Sequence, residues 1–189
     1  ASDSGNGGGS IVAAFQVSVG LDSVVEGTGW GAGTWGRGTW DSSASTSAST
    51  GQLRFWTHDN FGEDLLINIR DGGIFYWDRS NGVSTRAVAL SALAGADTGT
   101  PTLAKKVIVS DRDRHILVFG CDPQTAVGTQ DPLLIRFSSQ ESSTTWDALA
   151  TNTAGDLRVG SGSEIITALE TLQQILVFTD VSLHAMQYL

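Results

Sequence analysis

Asp64-Leu65-Leu66-Ile67-Asn68, followed by Ile74-Phe75-Tyr76-Trp77-Asp78, is the stretch on which the fold turns. Its pattern returns twice. His115-Ile116-Leu117-Val118-Phe119-Gly120 precedes Leu133-Leu134-Ile135-Arg136-Phe137-Ser138, and Gln174-Ile175-Leu176-Val177-Phe178-Thr179 precedes Ser182-Leu183-His184-Ala185-Met186. Each copy is an apolar, β-branched or aromatic run, then a connection, then a second run, as in a pair of neighbouring strands. The anchors Asp64, His115 and Gln174 stand 51 and 59 residues apart. That period is close to the roughly 40 to 50 residues of a four-stranded propeller blade with loop insertions. The expected fold is therefore all-β: a β-propeller-like meander of antiparallel four-stranded blades, two of them and most of a third. A closed propeller needs at least about four blades, so the others must lie outside this segment or come from another chain.

Outward from the repeat, strands are expected at residues 53–57, 65–69, 74–77, 107–110, 116–119, 133–137, 157–159, 165–169, 175–179 and 182–186. Asp71-Gly72-Gly73 and Asp180-Val181 are short enough to join antiparallel neighbours. Residues 163–174 also fit a helical pattern, because Glu164 and Glu170 bracket apolar positions that periodicity alone does not resolve; they are read as strand. Upstream the texture changes. Residues 1–51 are rich in Gly, Ser and Thr, with one alternating stretch at 11–19 and the Trp repeat Gly29-Trp30-Gly31-Ala32-Gly33-Thr34-Trp35-Gly36-Arg37-Gly38-Thr39-Trp40. The expected division is an N-terminal segment, 1–51, and blades over 52–189 belonging to a larger domain. The chain starts without Met and stops at Leu189 in a strand-like stretch, so it is expected to be part of something longer.

Composition narrows the function. Of 189 residues, 40% are hydrophobic and only 16% charged, which suits a folded chain with a Ser/Thr/Gly-rich surface. The net charge of −9 and the absence of a Lys/Arg stripe argue against specific nucleic-acid readout. Cys121 is alone, so an intrachain disulfide is impossible, and no closely spaced Cys or His suggests a zinc site. Apolar runs such as Ile116-Leu117-Val118-Phe119 fall far short of the roughly twenty residues of a membrane-spanning helix. His58, His115 and His184 are widely separated, and Asp111-Arg112-Asp113-Arg114 reads as a solvated hairpin turn. No convincing set of paired carboxylates, nucleophile elbow or phosphate-binding loop emerges. No catalytic, cofactor or metal residues are expected, and the chain is read as a non-enzyme.

Two motifs remain. Ser139-Gln140-Glu141-Ser142-Ser143-Thr144-Thr145-Trp146 resembles the Asp-box turn of sialidase-type propellers, with Glu in place of Asp and Ser in place of Gly. Its expected role is structural: the Glu141 carboxylate accepts turn amides, while Ser139, Thr145 and Trp146 complete the turn and pack it on its hairpin. Trp30, Trp35 and Trp40 are candidate interface or glycan-stacking aromatics. Their five-residue spacing puts successive rings on opposite faces of a strand, which weakens a continuous sugar platform.

Residues 52–189 also resemble a known family. The strings Phe55-Trp56-Thr57-His58-Asp59-Asn60-Phe61-Gly62-Glu63-Asp64-Leu65-Leu66 and Tyr76-Trp77-Asp78 are similar to the tail hub or nozzle (tail tubular) proteins of short-tailed bacteriophages. So are Asp131-Pro132-Leu133-Leu134-Ile135-Arg136-Phe137-Ser138, Thr151-Asn152-Thr153-Ala154-Gly155-Asp156-Leu157 and Gly162-Ser163-Glu164-Ile165-Ile166. The resemblance implies a structural virion protein, assembled in the host cytoplasm into a homo-oligomeric, hexameric ring. That ring would contact the portal, adaptor and other tail proteins and pass genomic DNA without sequence recognition. Two alternatives stay open: a carbohydrate-binding or sialidase-like propeller for host-surface glycans, and a cellular interaction propeller, whose Trp-Asp blade ending is hinted at by Trp77-Asp78 and Trp146-Asp147.

Overall fold

The computed structural model describes residues 55–187. The chain divides into two units, Ala1–Arg54 and Phe55–Leu189. The first unit, with its alternating stretch at 11–19, lies outside the described residues. The described residues of the second unit are all-β, with twelve strands, and the helical segments among them are 3-10 turns of three residues each.

The strands form three antiparallel sheets that succeed one another along the chain. The first runs β1 (Trp56–Phe61), β2 (Asp64–Ile69), β3 (Gly72–Trp77) and β4 (Val88–Ala89), with the short β5 (Leu103–Ala104) pairing with the start of β3. The second runs β6 (Lys106–Val109), β7 (Ile116–Phe119), β8 (Leu134–Phe137) and β9 (Gly155–Arg158). The third comprises β10 (Ile165–Glu170), β11 (Ile175–Thr179) and β12 (Leu183–Met186). Each is an up-and-down meander, and the three sequence repeats become β2 with β3, β7 with β8, and β11 with β12. Every copy thus supplies neighbouring strands of one sheet. The described residues form no closed propeller.

The stretch open to two readings, 163–174, is extended. Its β10 pairs with β11 from Ile165↔Thr179 to Glu170↔Ile175, with a register shift between Ile165 and Thr167. Strand β1 runs further than its apolar pattern, through Asp59 and Asn60, because it pairs with β2 along its whole length. Between β2 and β3 the tight turn sits at Arg70-Asp71, with Asp71 left-handed at φ 55°, a conformation Asp tolerates better than most residues.

Two apolar layers hold the sheets together. Between the first and second sheets lie Leu66, Ile74, Val107, Ile116, Val118 and Trp146. Between the second and third lie Ile108, Leu117, Phe119, Ile135, Ile175 and Val177. Alternate residues of β7 thus feed opposite layers, and all four are buried. A continuous Ile-Leu-Val-Phe run is what a strand covered on both faces requires. Val109 N–H donates to Asp59 across the first seam (2.8 Å), and Asp111 N–H donates to Glu170 across the second (3.0 Å). Lys105, almost fully buried, reaches Asp71 of the first sheet's hairpin (3.0 Å) and Glu164, just before the third sheet (2.5 Å). One ammonium therefore ties three sheets together.

Candidate functional site

The Asp-box-like segment closes the loop that comes after β8. Ser139 N–H donates to Thr145 O (2.8 Å) and Ser142 N–H to Ser139 O (3.1 Å), while Glu141 adopts φ 54°. Inside the turn, the Ser142 hydroxyl accepts the amides of Thr144 (3.3 Å) and Thr145 (3.1 Å). The carboxylate that grips the end of the turn is Asp97, whose Oδ2 accepts the amides of Trp146 (2.7 Å) and Asp147 (3.0 Å). Glu141 is exposed, its own carboxylate 3.9 Å from Arg114. Trp146 is buried in the first inter-sheet layer, and its indole N–H donates to Ser143 O (2.9 Å). Ser139 and Thr145 close the backbone, and the Ser139 hydroxyl lies 3.3 Å from that of Thr153. Trp30, Trp35 and Trp40 lie outside the described residues.

Beneath the turn sits Arg136, 2% exposed, which donates to the carbonyls of Gly99 (2.6 Å), Asp122 (3.2 Å) and Trp146 (3.1 Å). Next to it, buried Asp122 accepts Thr102 N–H and Oγ–H, Leu103 N–H and Gly128 N–H. Apart from the Thr102 hydroxyl, these two side chains bind backbone, pinning loops 97–103 and 122–128 to the second sheet. Burial pushes the neighbouring Cys121 thiol up to about 12, so it is a packed, protonated group.

A cavity of about 220 Å³ opens between the β6–β7 turn and the β10–β11 hairpin. Its floor is largely apolar, with Leu117, Phe137, Ile175 and Met186, and its rim carries Arg112 and Glu170. Glu170 is held above the usual carboxylate range, first by desolvation and then by the carboxylates of Asp111 and Asp59. His115 lines the cavity but is mostly buried; its Nδ1 lies 2.7 Å from Ser138 O and its ring meets Phe137 edge-on. On the outer sheet, His184 Nε2 is 2.8 Å from Ser182 Oγ, and that hydroxyl runs on to Thr179 Oγ1 (2.8 Å) in the β11–β12 turn. This Ser-His contact caps a hairpin: the Ser161 hydroxyl lies 3.1 Å from the same Nε2, and Thr179 Oγ1 donates on to Ser182 O (3.1 Å). Among the described residues no group of three His, Cys, Asp or Glu side chains is arranged to hold a metal, and no helix is long and apolar enough to cross a membrane.

Asp97, Asp122 and Arg136 are the polar residues that sequence reasoning missed. Asp97 is 49 residues from Trp146, so no local spacing announces it. No family model matches the chain, and neither a curated protein nor a solved structure matches it.

Proposed function

We propose that this chain is a structural protein of a phage tail, part of a homo-oligomeric hub or nozzle ring that conducts DNA below the portal. One observation carries the reading: the three sheets stack through apolar layers, and the polar residues buried among them are spent on backbone and on inter-sheet ion pairs. Such construction suits a load-bearing wall. The resemblance of residues 52–189 to short-tailed phage nozzle proteins points the same way and implies a hexamer with portal, adaptor and tail neighbours. A net charge of −9 fits a conduit, since an acidic wall repels phosphates and lets DNA pass without sticking.

Negative-stain images of the full chain test the proposal. Rings with an axial channel, together with no retention of duplex DNA at low salt, are the expected result. A compact monomer that binds glycans in an array contradicts it and favours the carbohydrate-recognising alternative.

A further inference from the structure

Ile-Leu-Val-Phe occurs twice, as Ile116-Leu117-Val118-Phe119 in β7 and as Ile175-Leu176-Val177-Phe178 in β11. The same four side chains meet different surroundings. In β7, Ile116 and Val118 face the first sheet while Leu117 and Phe119 face the third. In β11, Ile175 and Val177 are buried against the second sheet, but Leu176 and Phe178, the counterparts of Leu117 and Phe119, are only half-buried.

Strand pairing extends the equivalence across the sheet. Ile108 lies opposite Leu117 and Ile135 opposite Phe119; in the third sheet Leu169 lies opposite Leu176 and Leu183 opposite Phe178. Ile108, Leu117, Phe119 and Ile135 are between 0 and 5% exposed. Their counterparts Leu169 and Leu183 are 56% and 57% exposed. Thr167 and Ala185 complete this outer face, whose strands place no Asp, Glu, Lys or Arg on it; the Lys106 ammonium of the second sheet reaches its edge at Thr167 Oγ1 (3.3 Å) and the Ala168 carbonyl (2.5 Å).

At the other end of the stack, the first sheet repeats the opposite half of the pattern. Leu66 and Ile74 enter the layer shared with the second sheet. Leu65 and Ile67, counterparts of Ile116 and Val118, turn to the other face with Trp77 and Phe75 paired beside them, and all four are half-buried. His58 and Asn60 of β1 lie exposed on that face, opposite Ile67 and Leu65. One end of the stack thus bears the kind of face that the second sheet offers to the third, and the other end the kind that it offers to the first.

The geometry points to a docking contact in which the outer face of the third sheet receives the outer face of the first sheet of a second copy of this chain. The occupant is a second copy because both halves of the repeated contact are present in one molecule, used twice internally and left over once at each end. The strands of the two faces present no Asp, Glu, Lys or Arg to each other, and the Lys106 ammonium at the edge already has Thr167 and Ala168 as partners, so two chains of charge −9 can meet without burying an unpaired carboxylate or ammonium. The contact is head-to-tail, and such heterologous contacts close into rings when the rotation per copy allows. This inference rests on the ring-forming role proposed above, and it names the surfaces.

Substitutions at exposed positions test it without threatening the fold, which far-ultraviolet circular dichroism monitors. Leu169→Glu with Leu183→Glu disables the third-sheet face, and His58→Glu with Asn60→Glu disables the first-sheet face. Light scattering should find more than one copy per particle for the unsubstituted chain, single copies for each double variant, and a two-copy species when the variants are mixed. Mixing restores one intact contact only if the two faces differ. A single-copy unsubstituted chain at every concentration overturns the inference and the ring together. Rings that survive both pairs of substitutions overturn this contact and leave the ring standing. Loss of assembly in Leu169→Glu/Leu183→Glu but not in His58→Glu/Asn60→Glu means that two third-sheet faces meet each other, which also overturns it.

Discussion

Replacing Asp97 with Ala removes the acceptor of two backbone amides, those of Trp146 at 2.7 Å and Asp147 at 3.0 Å. A hydrogen bond to a charged group contributes about 1.5–3 kcal/mol net, and a donor left buried without a partner costs a further share of its desolvation. The two bonds share one carboxylate and are not additive, so the expected loss is about 2–4 kcal/mol. With a urea slope of about 1–3 kcal/mol/M, the midpoint should fall by about 1–2 M. Asp97→Asn, which keeps an acceptor oxygen, should recover part of the loss. Glu141→Ala, at the position where the Asp-box resemblance places the gripping carboxylate, should move stability by no more than about 0.5 kcal/mol, as exposed substitutions generally do. The assay is urea unfolding of the full chain, monitored by circular dichroism and tryptophan fluorescence. Equal midpoints for Asp97→Ala and the unsubstituted chain, or a larger loss for Glu141→Ala, would refute the assignment.

The packing and the charges set three further outcomes. Phe119→Ala empties a fully buried site and should cost about 3–5 kcal/mol; Phe178→Ala, the same residue in the half-covered repeat, should cost clearly less in an unassembled chain, as paired urea titrations at low protein concentration will show. Cys121, pushed up to about 12, is thiolate to the extent of only roughly one part in ten thousand near pH 8; it should resist a thiol reagent in the native chain and react at once in denaturant. Glu170 has a folded pKa above its unfolded one, so its contribution is fully present below the unfolded value and is lost as pH rises through the folded value. Glu170→Gln should therefore be more stable than the unsubstituted chain at neutral pH, with the gap closing in mild acid, as urea midpoints in the two buffers will show.

The repeat made most of the second unit legible. Strands β7 and β11 coincide with the runs at 116–119 and 175–179 because apolar, β-branched sequence and burial agree there. Strand β1 extends beyond what its residues suggest, because Asp59 and Asn60 interrupt its apolar character; Asp59 is there to accept an amide from the next sheet. Strands β4 and β5 hold two residues each and exist only through pairing with β3, which leaves no periodicity to read. The order of Ser139, Glu141, Thr145 and Trp146 located a tight turn and its buried aromatic, but its carboxylate arrives from a distant loop. Arg136 sits in an apolar strand for a reason visible only once three carbonyls from separate loops converge on it.

The mass of the full chain by sedimentation velocity over a wide concentration range tests the central claim most directly. A discrete multiple of the 19.8 kDa chain, persisting on dilution, is the predicted result for a self-associating stack of sheets. A single 19.8 kDa species at every concentration would contradict it.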